Sequence, residues 1–152
     1  MSHRDYKIGK YCVIADDVKI GKGTVIGDFV EIREGVTIGE DCYIDSRVTF
    51  TGNAVIGNNV SIRNACIIAR GVEIGDRSFL CPQVMFNNLD FHGETIGGAK
   101  IGDDCFIGTN ATINHGISIP DRTIVGAKAF VAKSIEEPDG TWIGIPAKKL
   151  ER

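Results

Sequence analysis

An aspartate two residues ahead of a histidine, in Asp90-Phe91-His92, is the pairing in this chain best suited to proton transfer. In a bent segment such a carboxylate can accept a ring N–H and orient the imidazole, leaving the other nitrogen free to take a proton from a nucleophile. Asn87 and Asn88 stand just before it. Their carboxamides suit either contact with a substrate or a turn, since Asn tolerates the left-handed region and bonds its own backbone. Of the other two histidines, His3 belongs to the terminus, and His115 in Ile113-Asn114-His115-Gly116 takes a place set by corner geometry. Five cysteines, Cys12, Cys42, Cys66, Cys81 and Cys105, form neither CxxC pairs nor a dense framework. That disfavours zinc ribbons and disulfide scaffolds, and no metal site is expected.

What must hold these groups is a repeat of six residues. Stepping by six from Ile8, every position to Phe86 is large and apolar: Ile14, Ile20, Ile26, Ile32, Ile38, Ile44, Phe50 and onward. The residue two places before each is small or β-branched, as in Cys12, Val18, Thr24, Val30 and Val36. Side chains two apart on a strand point the same way, so each unit buries one large and one small residue. Gly9, Gly21, Gly27, Gly39, Gly57 and Gly75 follow the large residue, where a tight corner is expected to need no Cβ or a positive φ. Three units close a triangular coil of eighteen residues, and stacked coils pair their strands in parallel.

The pattern fails between Phe86 and Ile101 and resumes through Ile107, Ile113, Ile119, Val125 and Val131, giving about seven coils. The whole reads as one domain over 1–152, with coils at about 8–86 and 100–133, a protruding loop at 87–99 and a short C-terminal tail at 134–152. An excursion from a rigid scaffold is where function is expected. Four cysteines, at 12, 42, 66 and 105, fill the small inward slot and read as buried hydrophobes, while Cys81 takes a corner beside the interruption.

Composition agrees: 22 Ile and 12 Val against 3 Leu favour strands, and 19 Gly favour turns. A formal charge of -3 without any Lys/Arg run argues against nucleic-acid phosphates and anionic membranes as partners. With no signal-peptide core or membrane-length apolar run, a cytoplasmic location is expected.

Residues just before each large one point outward, and sorting them by eighteen, with nine added for the interruption, separates three faces. One carries Lys7, Val25, Tyr43, Ser61, Phe79, Phe106 and Ile124; the next carries Val13, Glu31, Thr49, Ile67, Met85, Thr112 and Phe130. The third, with Lys19, Thr37, Val55, Glu73, Lys100 and Ser118, reads as solvated. Two adjoining apolar faces suit packing about a threefold axis, so a homotrimer is expected.

Periodicity leaves the hand of the coil open, and the rule for parallel crossovers favours right-handed. The tandem units over residues 8 to 131 resemble the hexapeptide repeat of an acyltransferase superfamily. That resemblance implies an all-β, left-handed parallel β-helix, a trimer with active sites between subunits, and acetyl-CoA as co-substrate. Asp90-Phe91-His92 resembles the D-x-H element of O-acetylating members, which implies a catalytic His92 with Asp90. The stretch from Phe79 to Asn88, Phe-Leu-Cys-Pro-Gln-Val-Met-Phe-Asn-Asn, is similar to the F-L-G-P-x-V-x-F-T-N-D element of bacterial nucleotide-sugar N-acetyltransferases. It implies contact of Asn87 and Asn88 with the acceptor, with Asn88 at the reacting amine, in bacterial surface-glycan synthesis. Here Cys81, Asn87 and Leu89 depart from the family's Gly, Thr and Asp.

Ile107-Gly108-Thr109-Asn110-Ala111 and the stretch from Val125 to Lys133 resemble the segments that line the pantetheine arm of acetyl-CoA. Gly108, Thr109, Gly126, Ala127 and Ala132 are thereby implied in cofactor binding. Gly144-Ile145-Pro146-Ala147-Lys148 is similar to a closing G-N-P-A-K motif, which implies Pro146 near the adenine end and Lys148 and Lys133 at CoA phosphates. Competing expectations are an O-acetyltransferase of a sugar or serine hydroxyl and a non-catalytic assembly prism. A γ-class carbonic anhydrase would need three converging histidines, and the repeat region holds two.

Overall fold

The computed structural model describes residues 5–94 and 97–152; His3, and Thr95 and Ile96 of the expected loop, lie outside them. Among the described residues there is no helix. Two-residue strands recur every six residues from Lys7–Ile8, in step until the loop and again after it as far as Phe130–Val131. They stack into three sheets of nine, seven and six strands, wound as a left-handed parallel β-helix of about seven coils. All pairing is parallel except the last, Thr141–Ile143 with Lys148–Lys149.

The register follows the eighteen-residue coil. Lys7 pairs with Val25, Val25 with Tyr43 and Tyr43 with Ser61, which is the first face as sorted from the sequence. Across the interruption Glu73 pairs with Lys100 and Ile74 with Ile101, so the chain re-enters in phase after nine extra residues. The large inward residues are buried from Ile26 to Val131, and the small slot between them holds Val30, Cys42, Ala54, Cys66, Val84 and Ala111. Polar occupants of that slot are satisfied by backbone. Thr24 Oγ1 donates to the Gly39 carbonyl at 2.8 Å and accepts from Cys42 N at 3.0 Å; Ser78 Oγ does the same with Gly102 and Cys105.

The corner chemistry differs from the sequence expectation. Positive φ belongs to the third residue after the large one, as at Asp41 (52°), Arg47 (62°) and Asn59 (56°), rather than to the glycine that follows it directly. That third residue turns its N–H back onto the preceding coil, Asp41 onto Lys22 O and Arg47 onto Asp28 O, each within 3.0 Å. Where a glycine does follow the large residue directly, the next coil passes too close for a side chain. A Cβ on Gly75 would lie 2.6 Å from the backbone carbonyl carbon of Gly102, and one on Gly27 would lie 2.7 Å from Ser46 N. Gly75→Ala is therefore expected to cost about 1–3 kcal/mol through forced separation of two coils, read from the guanidinium midpoint. An unchanged midpoint would reject close approach as the reason for this glycine.

Outward residues of the first two sheets leave Val13, Tyr43, Met85, Phe106 and Ile124 exposed, with the Phe79 and Phe106 rings stacked at 5.7 Å. On the third face Lys100 pairs with Glu73 at 3.6 Å. The C-terminal segment closes the far end of the column. Thr141–Ile143 extends the first sheet, and Phe130 of the second sheet donates to Gly144 O and accepts from Ala147 N at 3.0 and 2.7 Å.

Candidate active site

The loop leaves the second sheet after the Met85–Phe86 strand, at the corner leading to the third sheet. Its first residue still belongs to the column, since Asn87 N donates to Ile113 O at 2.9 Å. Asp90 then organises the turn. Its Oδ1 accepts the backbone N–H groups of His92 and Glu94 at 2.8 and 2.9 Å, and its own N–H bonds Glu94 O at 2.9 Å. The expected bond from this carboxylate to the imidazole is not among the described contacts. An Asx side chain reaches most readily the backbone two residues on, and here that geometry prevails. Asp90 thus fixes the backbone that carries His92, whose side chain is exposed.

Below the loop root lies a cavity of about 390 Å³ lined by Asn87, Leu89, Asp90, Phe91, Asn114, His115, Phe130 and Ala132. A smaller hollow of about 170 Å³ adjoins it, lined by Phe86, Asn87, Asn88 and Leu89. The structure therefore brings Asn87 and Asp90 of the loop root into one cavity with Ala132 of the last full coil. Asn88 sits beside it, and Lys133 follows Ala132 on the exposed corner.

The other residues implied for the cofactor are placed elsewhere. Gly108, Thr109, Gly126 and Ala127 lie at the opposite edge of the second sheet, stacked on one another: a Cβ on Gly108 would come 2.5 Å from Ala127 N. Pro146 and Lys148 belong to the tail, which is tied to the second sheet through Phe130 and to the first through the pairing of Val125 with Trp142. Lys149 pairs with Glu137 at 2.9 Å, which holds the carboxyl below its ordinary range; among the described residues Lys148 and Lys133 form no ion pair.

The inward cysteines are inert by environment. Cys42, Cys66 and Cys105 each donate S–H to a carbonyl of the next coil at 3.1 Å, and burial pushes the Cys66 thiol up to about 11. Cys81 is half-buried at its corner, its carbonyl taken by Cys66. Among the described residues no three metal-ligating side chains converge. Sequence reasoning placed His115 and Phe130 correctly, at a corner and on a face, but not as cavity walls. The signal for His115 was register, since it follows Asn114, which falls one coil below Asn87 once the nine-residue step is counted.

The pattern of bacterial transferase hexapeptide (six repeats) matches residues 3–34, 18–52, 35–70, 53–88 and 98–133. The chain belongs to this family. A comparison with curated proteins finds no match. Solved structures show the same fold. This hexapeptide prism is similar to PerB from Caulobacter crescentus in complex with CoA and GDP-perosamine, at 24% identity and a TM-score of 0.51, over 95% of this chain and 58% of that one. It is similar to UDP-N-acetylglucosamine acyltransferase from Campylobacter jejuni at 17% identity and a TM-score of 0.70, over 96% and 70% of the two chains. WeeI from Acinetobacter baumannii AYE gives 22% identity and a TM-score of 0.56, over 96% and 55%. The hexapeptide chain thus spans little more than half the length of PerB and WeeI. Among its described residues no helix is long and apolar enough to cross a membrane.

Proposed function

We propose that this prism is an acetyl-CoA-dependent acetyltransferase that N-acetylates a nucleotide-linked amino sugar in bacterial surface-glycan biosynthesis, working in the cytoplasm as a homotrimer with sites between subunits. The observation that carries this reading is the shared cavity: the loop-root residues Asn87, expected at the acceptor, and Asp90, expected to serve the catalytic histidine, meet Ala132, expected at the donor. The exposed apolar residues on two adjoining faces support the trimer. The family supports acyl transfer, and PerB was solved with CoA and a nucleotide-linked sugar.

Transfer to an amine requires that the nitrogen lose its proton as it attacks the thioester carbonyl, that the oxyanion be stabilised, and that CoA depart as its thiolate. His92, held on the turn that Asp90 caps, takes the proton. Asn88 positions the amine. Thin glycine and alanine edges at Gly108, Gly126, Ala127 and Ala132 admit the pantetheine arm, Thr109 borders it, Pro146 packs toward the adenine end, and Lys133 and Lys148 meet phosphates as point charges. O-acetylation of a sugar or serine hydroxyl is the second reading, favoured by Asp90-Phe91-His92 itself.

Acetyl-CoA at a hundredfold its dissociation constant is expected to stabilise the protein by about 2.7 kcal/mol, seen as a raised melting temperature. Release of free thiol with dTDP-, UDP- or GDP-linked amino sugars then identifies the acceptor. Neither stabilisation nor thiol release would leave the non-catalytic assembly role as the better reading.

A further inference from the structure

The corner between the second and third sheets repeats one position from coil to coil. Phe86 pairs with Ile113 and Ile113 with Val131. The first residue past each of these strands is Asn87, then Asn114, then Ala132, one vertical file at the strand spacing of about 4.8 Å, while the second place on the corner holds Gly97, whose carbonyl accepts from Gly116 N at 3.0 Å where the loop rejoins the column, then His115, then Lys133. His115 thus follows Asn114, which stacks on Asn87, the residue assigned to the acceptor, and it stands one rung above Lys133, the residue assigned to a donor phosphate. It also lines the 390 Å³ cavity with Asn87, Asn114, Asp90 and Phe130.

Nothing at the corner asks for an imidazole. The same position holds a glycine and an ammonium on the neighbouring coils, and His115 Nδ1 is buried without a hydrogen-bond partner among the described residues. A histidine kept for structure bonds its nitrogens to the fold, whereas an unpaired buried nitrogen costs about 1–3 kcal/mol. The cavity is at the small end of ligand pockets, with room for one sugar ring rather than a whole nucleotide sugar. Its wall combines two aromatic rings, a carboxylate, two carboxamides and the imidazole, a set that matches the apolar face and the hydroxyls of a pyranose.

We propose that His115 contacts the sugar ring of the acceptor in this cavity and sets which sugar is accepted. This rests on the reading of the protein as a sugar acetyltransferase. His115→Lys places at this corner a side chain that the file already accommodates at Lys133, and His115→Asn places one smaller than the imidazole, so both variants keep the fold. Either is expected to raise KM for the amino-sugar acceptor about tenfold or more, with KM for acetyl-CoA within about twofold and the stabilisation by acetyl-CoA unchanged. An unchanged acceptor KM, or a rise confined to acetyl-CoA, would overturn the assignment while leaving the function intact. If the native protein turns over no amino sugar, the functional reading fails, and a second measurement decides about His115 alone. With imidazole carbons isotopically labelled, free glucosamine shifts the His115 resonance if a sugar ring lodges there, and an unmoved resonance overturns the contact.

Discussion

His92→Ala is expected to lower kcat about a hundredfold or more while the protein remains folded, because a positioned general base typically contributes 10²–10⁴. The side chain is exposed on a turn outside the paired strands, so its loss removes no core contact and leaves no buried group unpaired. Activity and stability therefore separate cleanly at this residue. Asp90→Asn is the informative companion. Its remaining side-chain carbonyl can still accept the N–H groups of His92 and Glu94 that Oδ1 now holds, so it should retain far more activity than His92→Ala. A larger loss in Asp90→Asn would show that the charge matters and that the carboxylate meets the imidazole during turnover. Unchanged turnover in His92→Ala would remove His92 from proton transfer and leave an amine that arrives neutral, positioned by Asn88.

Phe50→Ala should have the largest effect on stability, a loss of about 3–5 kcal/mol. Phe50 is fully enclosed, with Ile32 above and Ile68 below in the inward file of the second sheet. Both neighbours are pinned by ladder bonds, Arg33 N to Phe50 O and Thr51 N to Ile68 O, each within 3.1 Å. The column cannot collapse around the hole without breaking these rungs, which places the substitution at the costly end of its range. Denaturant unfolding at fixed protein concentration measures it, since subunit association would make the midpoint depend on concentration. A loss below about 1 kcal/mol would mean that the stack relaxes freely and that rung-by-rung rigidity is the wrong description.

The column was legible because its rule is local: a large residue every sixth position and a small one two before it decide strand, inward face and coil closure together. Even the re-entry at Lys100 opposite Glu73 followed from counting residues. Corners were read less well. The glycines pointed to corners, but whether they serve torsion or clearance depends on the passing coil, which no single hexad contains. Within the loop, Asp90-Phe91-His92 pointed to a bent segment, yet the direction of the Asp90 carboxylate was settled by the path of the turn. Phe130 and His115 became cavity walls only through stacking between residues that are remote in sequence from the loop.

The nine-residue step at Lys100 has an evolutionary side. Because pairing resumes as though nothing intervened, the scaffold keeps no memory of what was spliced into it, and doubling the length of such an excursion costs only about 0.6 kcal/mol in closure entropy. Under the proposed function, descendants of this chain can exchange one loop for another by cut and graft and leave the stacked coils untouched, so that new selectivities arise at a single address.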